Sequence, residues 1–234
     1  MMPLFAQGCG ANVNAYPLED GKLPTHVEQG AHPVIASHPS TVVGHDKAEE
    51  AGRKLGDAVL EAIRGSTEIK AKKFSVRSRR IMLPTQVPSM ELVYKTQEHI
   101  KRERPNDERT MELLETVKGI IERGERPELR FDINVATFGS EWCLVTMPHE
   151  MFCEYELWVD ENAPFDHTMV FAYTNGHVTY IGTDKDLALG ENGGYESGSL
   201  PYTYFHALHS SLHVPLAVGI EGMIKGGIVS LWTE

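Results

Sequence analysis

Three residues in the second half of the chain have side chains that chemistry can use: Glu150 in "MPHEMF", Tyr180 in "NGHVTYIGT" and Tyr195 in "ENGGYESG". Glu150 falls where the apolar run "CLVTMP" stops, and ligands of α/β sheets usually sit at the carboxyl ends of strands. A carboxylate there can hold a cation. It can equally complement the dipole of a following helix from its first turn. Tyr180 lies near the end of a strand-like run, where a phenol can be buried with its oxygen aimed at a cleft. Tyrosine becomes a metal ligand when an ion such as Zn²⁺ supplies the field that removes its proton. Tyr195 follows Gly193 and Gly194, which let backbone segments approach closely, and its hydroxyl could donate to a developing oxyanion. For both phenols, plain packing is the alternative.

Histidine is concentrated in two places. His26, His32, His38 and His45 fall in one long segment, and His206, His209 and His213 fall in "FHALHSSLH", where they share a face if that segment is helical. Neither spacing matches HExxH or another pattern with a mechanical reason to bind metal, so solvated side chains are expected. The three cysteines, Cys9, Cys143 and Cys153, are too far apart for a CxxC knuckle, and their odd number leaves one unpaired in any disulfide scheme. Reduced thiols are expected, or one bridge at most.

The elements that must position these groups follow from periodicity. "PLFAQGCGANVNAYP" reads as a short strand, Leu4 to Ala6, running into a Gly- and Asn-rich turn. Pro17 to Asp46 has little periodicity and reads as a long surface excursion. Asp46 to Ile63 places Ala48, Ala51, Leu55, Val59 and Ile63 on one face of an amphipathic helix. "KAKKFSVRSRRIMLP" reads as a strand with a basic face. Ser89 to Arg102 and Asp107 to Arg123 read as two helices broken near Pro105, the second ending at Gly124. Strands "LRFDINVATFG" and "EWCLVTMP" follow, then a helix over "HEMFCEYELWVDEN", two strands, "HTMVFAYTN" and "HVTYIGT", separated by a turn at Asn175 and Gly176, and a closing helix over "VPLAVGIEGMIKGGIVSLW". The alternation predicts a mixed α/β (α+β) single domain with mixed sheets flanked by helices.

Composition narrows the function classes. A chain of 234 residues, 41% hydrophobic and 24% charged, can bury a substantial core. Its formal net charge of -11 argues against nucleic-acid partners, whose phosphates must be neutralised by clustered Lys and Arg. No apolar run is long enough to span a bilayer. The start "MMPLFAQGCG" has no basic segment followed by a long apolar one, so the expectation is a cytoplasmic chain or one whose N-terminus is missing.

Taken in order, "FAQGCGANVNAYP", "FSVRSRRIMLP", "MPHEMFCEYEL", "VFAYTNGHVTYIGT" and "GGYE" resemble the C-terminal part of the catalytic domain of the neutral/alkaline non-lysosomal ceramidases, particularly their bacterial relatives. The resemblance covers most of residues 3 to 232. It implies a zinc-dependent amidase that cleaves the N-acyl bond of ceramide to sphingosine and a fatty acid, secreted or periplasmic as a full-length protein. It also implies that Glu150, in place of the glutamate of the family's "PGE" turn, and Tyr180, matching the tyrosine of "GYI/VxT", are zinc ligands. Tyr195 is then the phenol that stabilises the tetrahedral intermediate. Two departures stand out: His149 replaces the glycine of the "PGE" turn, and Asn14 stands where the family's "GDVSP" turn carries a catalytic serine. Asparagine can hydrogen-bond a substrate but has no hydroxyl to transfer a proton.

The family's two zinc-binding histidines, one of them in an HxH motif, come from sequence upstream of that turn and have no counterpart here. Residues 1–234 are therefore expected to be the later part of a catalytic domain, with His32 and His38 of "GAHPVIASHP" the natural replacement donors if any exist. A catalytic zinc keeps three or more protein ligands, so Glu150 and Tyr180 alone predict weak zinc binding and poor ceramide hydrolysis. The second reading is a non-catalytic remnant or lipid-surface module, its basic strand in peripheral contact with anionic lipid. A third is a zinc esterase or amidase acting on another amphiphile.

Overall fold

The computed structural model describes residues 4–13, 45–68, 73–200, 208 and 210–233. Asn14, His26, His32, His38, His206 and His209 lie outside the described residues. The chain divides into two compact units, Asn14–Ala71 and a larger one made of Met1–Val13 with Lys72–Glu234. The smaller unit contains helix α1, His45–Gly65, at the place the apolar spacing predicts. Ion pairs one turn apart, Arg53–Glu49 at 2.5 Å and Lys54–Glu50 at 2.8 Å, lace its surface. Leu55, Val59 and Ile63 on its apolar stripe are exposed.

The larger unit is a mixed α/β fold. Strand β1, Phe74–Pro84, pairs antiparallel with β2, Glu128–Phe138, which pairs antiparallel with β3, Trp142–Thr146. Strand β5, His167–Phe171, adds to β3 in parallel. A parallel neighbour needs a crossover, and helix α4, Cys153–Asn162, lies in that connection. Strict alternation in β2 buries Leu129, Phe131, Ile133 and Val135 on one face. After the short helix α5, Asp184–Leu187, comes the closing helix α6, Ile220–Thr233, and that face packs against it through Ile220, Ile224, Ile228 and Leu231. Helix and sheet come close at Gly227, where a Cβ would stand 2.6 Å from Ile133 Cδ1.

Helices α2, Met90–Glu103, and α3, Glu108–Glu122, fall within the expected spans and are capped at their starts: Ser89 Oγ accepts from the Leu92 N–H at 3.1 Å and Asp107 Oδ1 from the Thr110 N–H at 3.1 Å. After α3 the chain turns at Gly124 with φ 65°, the left-handed conformation that glycine favours. A second core cluster joins Val93, Ile100, Leu114 and Val117 of this pair to Leu200, Leu208 and Val214.

Several expectations are corrected. Leu4 to Ala6 form no strand, and Leu4 and Phe5 are exposed. That segment is tied by single backbone bonds, such as the Ala172 N–H to the Gln7 carbonyl at 3.0 Å, rather than by a ladder. The basic residues of β1 do not share a solvent face. Arg77 donates to the Leu231 carbonyl at 3.0 Å and Arg79 to Ser230 Oγ at 2.6 Å, placing both cations at the C-terminal end of α6, where the helix dipole favours them. Arg80, on the opposite face, pairs with Asp132 at 2.7 Å. The two strands expected from "HTMVFAYTN" and "HVTYIGT" are present but shorter than those runs, and they lie in different sheets. The first gives β5 and the second gives β6, Tyr180–Ile181, which forms a separate two-stranded sheet with β4, Glu150–Met151. The closing helix starts at Ile220, after Gly219 at φ 106°, later than its apolar run suggests.

Candidate functional site

β4 and β6 are two residues each, yet their parallel register decides the site: Glu150 is paired with Tyr180, and Met151 with Ile181. The Glu150 N–H donates to the Thr179 carbonyl at 3.1 Å and the Phe152 N–H to the Ile181 carbonyl at 3.1 Å. Glu150 thus precedes α4, whose N-cap is Phe152, and does not sit in the first turn of a helix.

The residue before it, His149, has φ 66°. It keeps the backbone conformation that a glycine would adopt easily and that a branched or bulky side chain resists. The surroundings hold it there. Its N–H donates to the Gly176 carbonyl at 2.8 Å and its carbonyl accepts from the Tyr173 N–H at 3.0 Å. Its buried ring lies 6.0 Å from the ring of Phe131, and Nδ1 accepts from the Val178 N–H at 3.2 Å. Nε2 therefore carries the proton in the neutral ring and points it at the Arg130 carbonyl, 3.3 Å away.

Burial holds the His149 pKa below the ordinary histidine value. The folded chain then binds fewer protons at this ring than the unfolded chain. The stability it contributes is complete above about pH 6.5 and is lost as pH falls through the depressed folded value. His149→Asn, which tolerates the left-handed conformation, is expected to flatten the loss of urea-unfolding stability between about pH 7.5 and about pH 5. An unchanged slope would place the proton uptake elsewhere.

The Glu150 carboxylate is the meeting point of the site. Oε1 lies 2.5 Å from His177 Nε2, and Oε2 accepts from the Tyr173 hydroxyl at 3.2 Å. The Tyr180 hydroxyl also hydrogen-bonds this carboxylate. Tyr195 packs edge-on against Tyr180, ring centroids 5.6 Å apart. The structure thus brings Glu150, Tyr180 and Tyr195 together. It adds two residues that the sequence reading did not single out, Tyr173 and His177, whose rings stack at 6.0 Å. The signal that could have found them is the tight turn between them: Tyr173 at φ 55° and Asn175 at φ 61° fold the segment so that both side chains reach Glu150.

All three phenols are pushed above the ordinary tyrosine pKa. Burial is the main cause for Tyr173, Tyr180 and Tyr195, followed in each by the Glu150 negative charge. They are donors at neutral pH, and only a cation at the carboxylate would reverse that balance for Tyr180. Among the described residues no group of three or more His, Cys, Asp and Glu could hold a metal. With the phenol of Tyr180, however, Glu150 and His177 form a mixed carboxylate, imidazole and phenol set.

Tyr195 is presented by a turn in which glycine is sterically required. A Cβ on Gly193 would lie 2.6 Å from Gly198 Cα, and one on Gly198 would lie 2.6 Å from the Gly194 carbonyl oxygen. Gly198→Ala is expected to open this turn and displace Tyr195 from Tyr180, read as loss of the ring-current shift between the two rings in NMR spectra. Retention of that shift would show that the turn does not set the Tyr195 position.

The chain has three cysteines, Cys9, Cys143 and Cys153. All three are free, and burial pushes the thiols up, Cys9 to about 12 and Cys143 to about 11, so neither forms the reactive thiolate near neutral pH. A narrow gap lined by Thr179, Tyr180, Leu187, Ser197 and Leu216 adjoins a cleft of about 380 Å³. The two share Leu187, Ser197, Pro215 and Leu216, and Val87, Leu92 and Val218 line the cleft further out.

The chain matches no protein-family model, no curated protein and no solved structure.

Proposed function

We propose that this chain carries the site of a zinc-dependent amidohydrolase of the ceramidase type, acting on the N-acyl bond of a ceramide-like amphiphile. The observation that carries the reading is the convergence of His177 Nε2, 2.5 Å away, and the Tyr180 hydroxyl on the one carboxylate of Glu150. Carboxylate oxygen, imidazole nitrogen and phenol oxygen are donors that suit Zn²⁺, and three of them leave a coordination position open. Counting residues in the sequence gives only Glu150 and Tyr180. His177 makes the set three, so the weak binding expected of two ligands no longer follows, and the loop residues His32 and His38 are not needed to reach three.

Bound zinc would supply a Lewis acid and a water of lowered pKa. The rest is done by the chain's own groups. Tyr173 donates to Glu150 Oε2 and fixes the orientation of the carboxylate, as outer-shell partners of metal ligands do. Tyr195, kept protonated by burial and by the nearby carboxylates, has a proton to donate to an oxyanion. The cleft beyond Tyr180, with Val87, Leu92, Leu187 and Leu216 in its wall, offers an apolar chain a place away from water.

The lipid-surface alternative would draw on the same strand, where Arg77 and Arg79 hydrogen-bond the end of α6 and Arg80 forms a surface ion pair with Asp132. The test is hydrolysis of a fluorescent N-acyl sphingosine by the metal-stripped and zinc-reloaded chain, with His177→Ala alongside. Turnover that requires zinc and is lost in His177→Ala is expected. Absence of turnover at saturating zinc, or turnover indifferent to chelation, would overturn the reading.

A further inference from the structure

The four-stranded sheet has helix α6 on one face, and its other face carries an ordered apolar surface. The pairing register sets Phe74, Phe138, Trp142 and His167 in one row across β1, β2, β3 and β5, and Val76, Ala136, Leu144 and Met169 in the next. Within the first row the rings touch: Phe74 and Phe138 lie 4.9 Å apart and Trp142 and His167 4.7 Å apart. Ala136, Trp142 and Leu144 are half-buried and the outer members of the rows are exposed. Phe74 is 61% exposed, Val76 57% and Met169 44%. A contiguous apolar patch of this kind marks an interaction surface, whereas scattered exposed hydrophobic residues do not.

We infer that this face is a self-association surface, covered in solution by the same face of a second copy. Two features of the face select that occupant. The first is charge. The chain as a whole has a formal net charge of -11, so most of its surface repels a copy. The outward charged residues on the strands of this face are Arg80, Arg130, Asp132 and Glu128, which sum to zero, and Arg80 and Arg130 both pair with Asp132, at 2.7 and 2.6 Å. Two copies can meet here without like charges facing across the apolar rows.

The second feature is extent. At ~4.8 Å between strands and ~3.3 Å per residue, the sheet is about 19 Å wide and its two long strands about 36 Å long. That is a face of several hundred Å² per copy, on the order of the ~800 Å² per partner that a standard interface buries. Two such faces stack as packed sheets do, about 10 Å apart with their inner side chains interdigitated.

Sedimentation velocity over a range of concentrations tests the inference on the full chain. A reversible dimer of twice the 26.1 kDa chain mass is expected. Val76→Glu and Met169→Lys, on the two edge strands, are each expected to weaken dimerisation by at least about tenfold, because each would bury an unpaired charge in the contact. Both positions are solvent-exposed in the single chain, so far-UV circular dichroism and the melting temperature should not move, and either variant suffices if the other fails to fold. A chain that stays monomeric at every concentration would overturn the inference, and so would a dimer that persists undiminished in the folded variants.

Discussion

Phe131→Ala is expected to destabilise the chain by about 3–5 kcal/mol, the range for truncating a fully buried phenylalanine whose cavity cannot collapse. Phe131 is completely buried in β2, within the layer between the sheet and α6, where close helix contact at Gly227 leaves little freedom to relax. The effect should reach the site as well. The Phe131 ring backs the imidazole of His149, and Arg130 of the same strand supplies the carbonyl that the imidazole bonds. Urea unfolding measures the first effect. The second is read from the His149 ring signals, which should broaden or shift. A loss below about 1 kcal/mol would mean that the core refills the space, contrary to the packing described here.

The second large effect concerns the donor at the oxyanion. On the proposed reaction, Tyr195→Phe removes a hydroxyl whose proton burial and nearby carboxylates retain, and should lower kcat by roughly 10²–10³ with little change in KM. The ring and its edge-on packing against Tyr180 are kept in phenylalanine, so a structural role alone predicts wild-type kinetics. Asn14→Ser is the complementary change. If the serine of the resembled family transfers a proton, restoring a hydroxyl at position 14 should raise kcat by roughly 10²–10⁴. Steady-state kinetics on a fluorescent ceramide separates the two contributions.

How much of this could be read in the sequence depended on how local each signal is. Helices α2 and α3 were legible because the break near Pro105 and the glycine stop at Gly124 are chemical statements about their own backbone. β2 was legible because one face is buried and its alternation says so. The closing helix was overextended because the apolar run before Ile220 looks helical, although residues 215 to 217 are bonded to Pro84, Gln86 and Thr85 near the end of β1. β4 and β6 were not legible as a pair, since two residues carry no period and only the tertiary pairing sets Glu150 beside Tyr180. Glu150 and Tyr180 could be singled out by residue type and by their places at the ends of apolar runs, and Tyr195 by its place after the glycine pair Gly193 and Gly194. His177 gives no such signal, because it stands alone after a tight turn, outside the two dense histidine clusters, and only the fold brings it to Glu150.

Zinc content after extensive dialysis is the measurement that bears most directly on the central claim. The carboxylate of Glu150, the imidazole of His177 and the phenol of Tyr180 as a ligand set predict stoichiometric zinc in the wild-type chain. Glu150→Gln and His177→Ala should each weaken binding by more than the roughly 10–100-fold that loss of an outer-shell partner costs. Loss of the ion from both variants while their circular dichroism stays native would place it at this carboxylate. A wild-type chain that keeps no zinc, or a His177→Ala variant that keeps as much as the wild type, would contradict the account.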